Sequence, residues 1–238
     1  MIAGPRVDTR AMPPSPGHNG RSKRLISDIM SDALLKWQTE RADALDSLDA
    51  IHGKVTGRTR GRKYNTKHLN RALFLALAAE FQGFCRDLHE DAAIHIAGSL
   101  DTMPGNAGLV PVVLDALVRE RTINPNKAPD KDRRLDKGNA DFSALVTDYA
   151  TLGMHLGNEL KGRYPSRFPK WEKTLAALNG ARNGIAHSDA DKLITAERQH
   201  GLTLATFRKW RSSLNGASTG MDKVVGTYLL DLTGTTPW

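Results

Sequence analysis

The chain has 238 residues, 39% of them hydrophobic and 25% charged, with one cysteine and a formal net charge of +8. That size suits one main domain with extensions, and the longest uncharged apolar run, residues 72–79, is far below the ~20 residues of a membrane-spanning helix. A transmembrane protein and a disulfide-stapled secreted protein are excluded on these grounds. With Cys85 alone and no leader-type segment opening the chain, a reducing cytoplasm is the expected compartment.

The charge is concentrated. Arg6, Arg10, Arg21, Lys23 and Arg24 face only Asp8 in residues 1–24, a local excess of +4, and Lys54, Arg58, Arg60, Arg62, Lys63, Lys67 and Arg71 face no acid in residues 53–71, an excess of +7. The rest of the chain therefore nets −3, so the positive charge belongs to a tail and a loop. A polyanion such as nucleic acid fits such segments by phosphate neutralisation. A merely solvated basic stretch is the alternative.

In chain order, residues 1–24 combine many Pro and Gly with almost no large apolar side chains, which predicts a disordered basic tail. Leu34, Trp37, Arg41, Ala44, Leu48 and Ile51 then recur at helical steps and predict an N-terminal helix within residues 25–53, stopped by Gly53. Residues 54–66 read as a basic loop, and 67–238 as the main helical domain. Its first helix is capped by Thr66, runs to about Gly98 and carries the seam Phe74, Leu77, Phe81, Phe84 and Leu88.

A shorter helix is expected over 109–121 and a loop over 124–138. Phe142, Leu145, Tyr149, Leu152, Leu156 and Leu160 predict one helix closed by Gly162 and Pro165. Trp171, Leu175 and Leu178 mark the next. Two late stripes follow, Leu204 to Leu214 at steps of three and four, then Met221, Val224, Val225, Tyr228, Leu229 and Leu232. No sustained period-two alternation needs a strand, so the fold class is an all-α helical bundle with an up-and-down core and an extra N-terminal helix.

Chemistry tied to common motifs is missing from the sequence. There is no cysteine pair, His89 and His95 are spaced for different helix faces, and no phosphate loop, dinucleotide turn or nucleophile elbow is present. No cofactor or metal is expected. Cys85, beside Phe84, reads as a small core residue.

The informative stretch is Leu178-Asn179-Gly180-Ala181-Arg182-Asn183-Gly184-Ile185-Ala186-His187-Ser188-Asp189. One further step of four along Trp171, Leu175, Leu178 lands on Arg182, so the inward stripe ends in a guanidinium that needs an anion. Asn183-Gly184 is expected to end the helix, and Ser188 or Asp189 to cap the following one. His187 would then stand at a helix N-terminus, where the dipole favours a neutral imidazole base. The alternative is that Arg182 caps carbonyls and His187 is a satisfied turn residue.

RNGIAH resembles the RxxxxH signature of the HEPN superfamily, and the layout of a long early helix with an aromatic seam, RALFLALAAEFQGFCRDLHEDA, then the motif, then a last long helix is similar over roughly residues 67–232. The resemblance implies an α-helical homodimer acting as a metal-independent endoribonuclease, in the manner of stand-alone bacterial toxin–antitoxin or phage-defence proteins. It assigns Arg182, Asn183 and His187 to the catalytic site and implies a place for a neutralising protein partner. Glu80, within a turn of Leu77 and Phe84, is expected to orient Arg182 or join the catalysis; a solvated edge position is the alternative. Arg58, Arg60, Arg62, Lys63 and Lys67 are expected to grip RNA. On this reading His187 takes the proton from a ribose 2′-hydroxyl and Arg182 stabilises the phosphoryl charge, leaving a 2′,3′-cyclic phosphate. The competing readings are a non-catalytic RNA-binding or adaptor protein and, less favoured, a DNA-binding regulator.

Overall fold

The computed structural model describes residues 30–57, 66–99 and 133–238. The basic tail, Arg58, Arg60, Arg62, Lys63 and the 109–121 segment lie outside the described residues. Among the described residues the secondary structure is entirely helical, in the order α1 (Asp32–Gln38), α2 (Glu40–Thr56), α3 (Lys67–Ser99), α4 (Arg134–Lys137), α5 (Phe142–Thr151), α6 (Leu156–Arg163), α7 (Phe168–Ala186), α8 (Ala190–His200) and α9 (Leu204–Thr233). The fold is the expected all-α bundle. No helix among the described residues is long and apolar enough to cross a membrane.

α3 and α9 form the spine. Phe74, Leu77, Phe81, Phe84 and Leu88 are all buried, because their spacing keeps them on one face of a 33-residue helix. Phe74 meets Trp210 of α9 edge-on at 5.1 Å between ring centroids, and Phe81 meets Trp37 of α1 at 5.6 Å. The N-terminal helices therefore share the core of the rest. Ser31 and Ala33 fix the start of α1, their backbone N–H groups donating to Asp222 at 3.1 Å and Asp91 at 3.0 Å. Both acids are held back from ionising mainly by burial, Asp91 up to about 6.

Several boundaries differ from the sequence reading. The loop expected over 124–138 holds, in its described part, the short helix α4, whose first N–H groups, those of Arg134 and Leu135, donate to the Asp148 carboxylate. The single N-terminal helix is two, bent at Thr39 (φ −115°, ψ −89°), and α2 continues through Gly53 to end at Gly57, φ 72°. A helical Gly costs only about 1 kcal/mol, too little to stop a helix by itself. The bend also shifts the phase, so Leu45 and His52 are buried while Ala44 and Ile51 are exposed. The helix expected to span 142–160 breaks between α5 and α6, where Gly153 has φ 76° and Tyr228 donates to the freed Leu152 carbonyl at 2.7 Å. The two late stripes are one helix, α9. Its Gly216 and Gly220 lie against the Trp171 indole, where an added Cβ would sit 3.2 and 2.7 Å from the ring.

Candidate functional site at the α7–α8 turn

α7 carries Trp171, Leu175 and Leu178 buried on one face, and Arg182 follows on that face where the helix emerges from the core. It is half-buried. The expected stop at Asn183-Gly184 is overturned: α7 runs on to Ala186. Gly184 is buried because α8 packs onto it, and an added Cβ would lie 3.1 Å from the Leu193 nitrogen and 3.2 Å from Lys192 Cβ. Its value is close approach, and the left-handed conformation falls instead on Ser188, φ 52°, a residue type that seldom adopts it.

His187 consequently stands at the carboxyl end of α7, its N–H donating to the Asn183 carbonyl at 3.1 Å, and not at the amino end of the next helix. That place belongs to Asp189. Its side chain accepts from Lys192 N–H at 3.1 Å, and its own N–H donates to the Gly184 carbonyl at 3.0 Å. The Lys192 side chain and backbone hold the Asp189 carboxyl below its usual range. The turn is thus fixed at both ends, with the His187 side chain exposed between them.

The expected anion on Arg182 is replaced by an amide. Arg182 Nη1 donates to Asn183 Oδ1 at 3.2 Å, and Asn139 Nδ2 donates to the same oxygen at 2.8 Å. One turn earlier, buried Asn179 donates to the Ala140 carbonyl at 3.1 Å, so two asparagines of α7 hold the segment before α5. No carboxylate pairs with Arg182 among the described residues. A guanidinium held only by a neutral oxygen keeps its charge available to an incoming anion.

No hydrogen bond joins the Arg182 and His187 side chains within one chain, and the only side-chain partner of Arg182 among the described residues is Asn183. Five residues of helix separate them by about 140° around the axis and roughly 7.5 Å along it. Glu80 is also not at this site. Its carboxylate pairs with Arg41 at 2.8 Å, and the other Arg41 nitrogen donates to Asp87 at 2.9 Å. The guanidinium lies across Gly83, where any side chain would collide with it. Glu80 thus fastens α2 to α3, a role no local spacing reveals, since its partner is 39 residues away.

Lys67 opens α3 beside the turn. Its ammonium lies 3.4 Å from Glu197 Oε1 of α8, and Arg71 Nη2 donates to the same oxygen at 3.1 Å. These three residues, Ile185, Ser188 and Leu193 line a cleft of about 370 Å³. Of the residues expected to bind RNA, Lys67 is thereby brought next to the turn. Arg71 follows Lys67 by four residues on one helix face, a signal available in the sequence; Glu197, far along the chain, offered none.

Other polar groups serve the core. His89 is fully buried, Nε2 donating to the Asp148 carbonyl at 3.0 Å and Nδ1 facing Arg133. Burial first and the Arg133 charge second lower its imidazole to about 4. Asp148 accepts from the backbone N–H groups of Arg134 and Leu135 and so caps α4. His95 lies elsewhere, 3.1 Å from Thr233 Oγ1. Cys85 is buried and its thiol is pushed up by desolvation, as befits a core residue. Comparison of the chain with protein-family models, curated proteins and solved structures found no match.

Proposed function

We propose that this chain is a metal-independent endoribonuclease whose site is assembled from the α7–α8 turns of two copies. The observation that carries this reading is Arg182, a guanidinium without a carboxylate partner among the described residues, on the same helix end as the exposed imidazole of His187. The former suits the non-bridging oxygens of a phosphodiester, and the latter is accessible to a ribose hydroxyl. The resemblance of RNGIAH to the HEPN signature points the same way.

His187 accepts the 2′-hydroxyl proton as that oxygen attacks the adjacent phosphorus, while Arg182 balances the charge on the phosphoryl oxygens. The phosphorus–O5′ bond breaks, leaving a 2′,3′-cyclic phosphate and a 5′-hydroxyl. The leaving oxygen takes its proton from a second acid-base group. Because Arg182 and His187 of one chain lie on different sides of α7, a two-fold pairing supplies the complementary groups. Toxin–antitoxin or phage-defence roles and a neutralising partner rest on the resemblance alone.

The test is single-stranded RNA incubated with the full chain in excess EDTA, alongside the same oligonucleotide carrying one 2′-deoxyribose at each mapped cleavage point. Cutting in EDTA, cyclic-phosphate ends and protection by the deoxy substitution are expected. Loss of cutting in EDTA, or cutting at the deoxy position, overturns the mechanism. The separation of Arg182 from His187 within one chain favours a second reading, a non-catalytic RNA-binding adaptor. It predicts RNA bound and left whole, with affinity indifferent to the deoxy substitution.

A further inference from the structure

We propose that the cleft between the amino end of α3 and the α7–α8 turn is a subsite for a backbone phosphate of the bound RNA. Lys67 and Arg71 are its cations, and Glu197 is a resident counter-ion that the phosphodiester displaces. The inference rests on the RNA reading above and adds where the strand is held and what opposes its entry.

Three observations converge on the cleft. A single oxygen, Glu197 Oε1, serves both Lys67 Nζ and Arg71 Nη2, so two positive charges share one negative one. Arg71 Nε is buried with no hydrogen-bond partner. A buried donor without an acceptor carries a desolvation cost that a second acceptor oxygen removes, and a phosphate offers the several oxygens needed to engage both guanidinium edges. Finally, Lys67 and Ala190, the first residues of α3 and α8, both border the space. The positive end of the α3 dipole therefore faces the space, whereas the amino end of α8 already holds the Asp189 carboxylate.

Ser188, which follows His187 in the chain, lines the cleft, so the space borders the turn that carries the imidazole. The roughly 370 Å³ of space also has apolar walls, Ile185, Leu193 and Ile194, against which sugar or base surface can rest.

The test uses the full chain carrying His187→Ala, so that RNA stays intact, and fluorescence anisotropy with a labelled single-stranded RNA over a range of salt. Glu197→Gln is expected to tighten binding roughly two- to fivefold at low salt, the scale of a partly exposed ion pair. Arg71→Gln is expected to weaken it and reduce the salt slope by about 0.7, one phosphate contact on a single strand. Opposite signs from two neighbouring variants exclude misfolding as the cause. If the parent binds RNA but neither variant alters affinity or slope, the subsite is wrong and the RNA reading stands. If the parent binds no RNA, the RNA reading fails and this occupant with it. Inorganic phosphate provides an independent arm: shifts of the 188–192 backbone amides by NMR, lost in Arg71→Gln, support the subsite, and an unresponsive spectrum overturns it.

Discussion

The α3–α9 spine and the α7–α8 turn are built by different physics. Along the inner seam of the spine, burial places the apolar side chains. Phe74, Leu77, Phe81, Phe84 and Leu88 lie where a 3.6-residue period puts them, and removing apolar surface from water supplies the stabilisation. At the turn, hydrogen bonds over short and long range decide. Asn139 holds Asn183, Asp189 caps α8, Gly184 admits Leu193, and Glu197 reaches back to Arg71. The contrast separates two kinds of substitution, those that unfold the molecule and those that leave it folded and without function.

The largest expected effect is His187→Ala. Loss of a general base costs about 10²–10⁴ in rate, while an exposed side chain contributes little to folding, so the cleavage rate should collapse with an unchanged thermal midpoint. A midpoint that falls in step with the rate would erase the distinction. Phe84→Ala should do the reverse, costing about 3–5 kcal/mol of stability by denaturant titration while the remaining folded fraction cuts at the parent rate.

Gly184→Ala tests the join between the regions. The added methyl has to move Leu193 and Lys192, an overpacking cost of about 1–3 kcal/mol, and displaces the turn as α8 yields. Stability and cleavage should both drop, and a rate preserved alongside reduced stability would show that the turn does not depend on this contact.

The smallest effect concerns acid. Native His89, lowered to about 4 by burial and then Arg133, refuses the proton that the unfolded chain accepts below about 6.5, so its contribution erodes stability as pH falls through that interval. Asp91 does the opposite. Raised to about 6 by burial, it takes a proton in the folded state before the unfolded carboxyl does near 3.8, and stability gains as pH falls between those values. The two partly cancel, so Asp91→Asn should uncover the contribution of His89. Thermal midpoints at pH 7 and 4.5 should differ more in the variant than in the parent; equal differences would mean the two groups are not opposed.

What the sequence makes legible follows from the same contrast. A helix expected over 66–98 is found at Lys67–Ser99, its seam is buried, and Asp189 caps α8 as its residue type suggested. Apolar period reports the buried face, and a short polar side chain reports its own backbone neighbours. Neither reports how glycine is used. Gly53 and Gly184 looked like stops and lie inside helices, whereas Gly153 ends α5's turn unannounced, because the neighbouring element decides whether a missing Cβ serves rotation or proximity. Long-range ion pairs were equally hidden. Glu80 could be read only as an acid in an apolar helix, and its assignment to Arg182 gives way to Arg41.

The docking of α1 on Asp91 and Asp222 sets a ruler for the basic N-terminal segment. Asp91 lies 24 residues along α3 from Lys67, about 36 Å at 1.5 Å per residue, so the point where residues 1–29 join the body is anchored far from the cleft. A polyanion that engages both that junction and the turn has to stretch along most of α3. An oligonucleotide shorter than this span can reach only one of the two places.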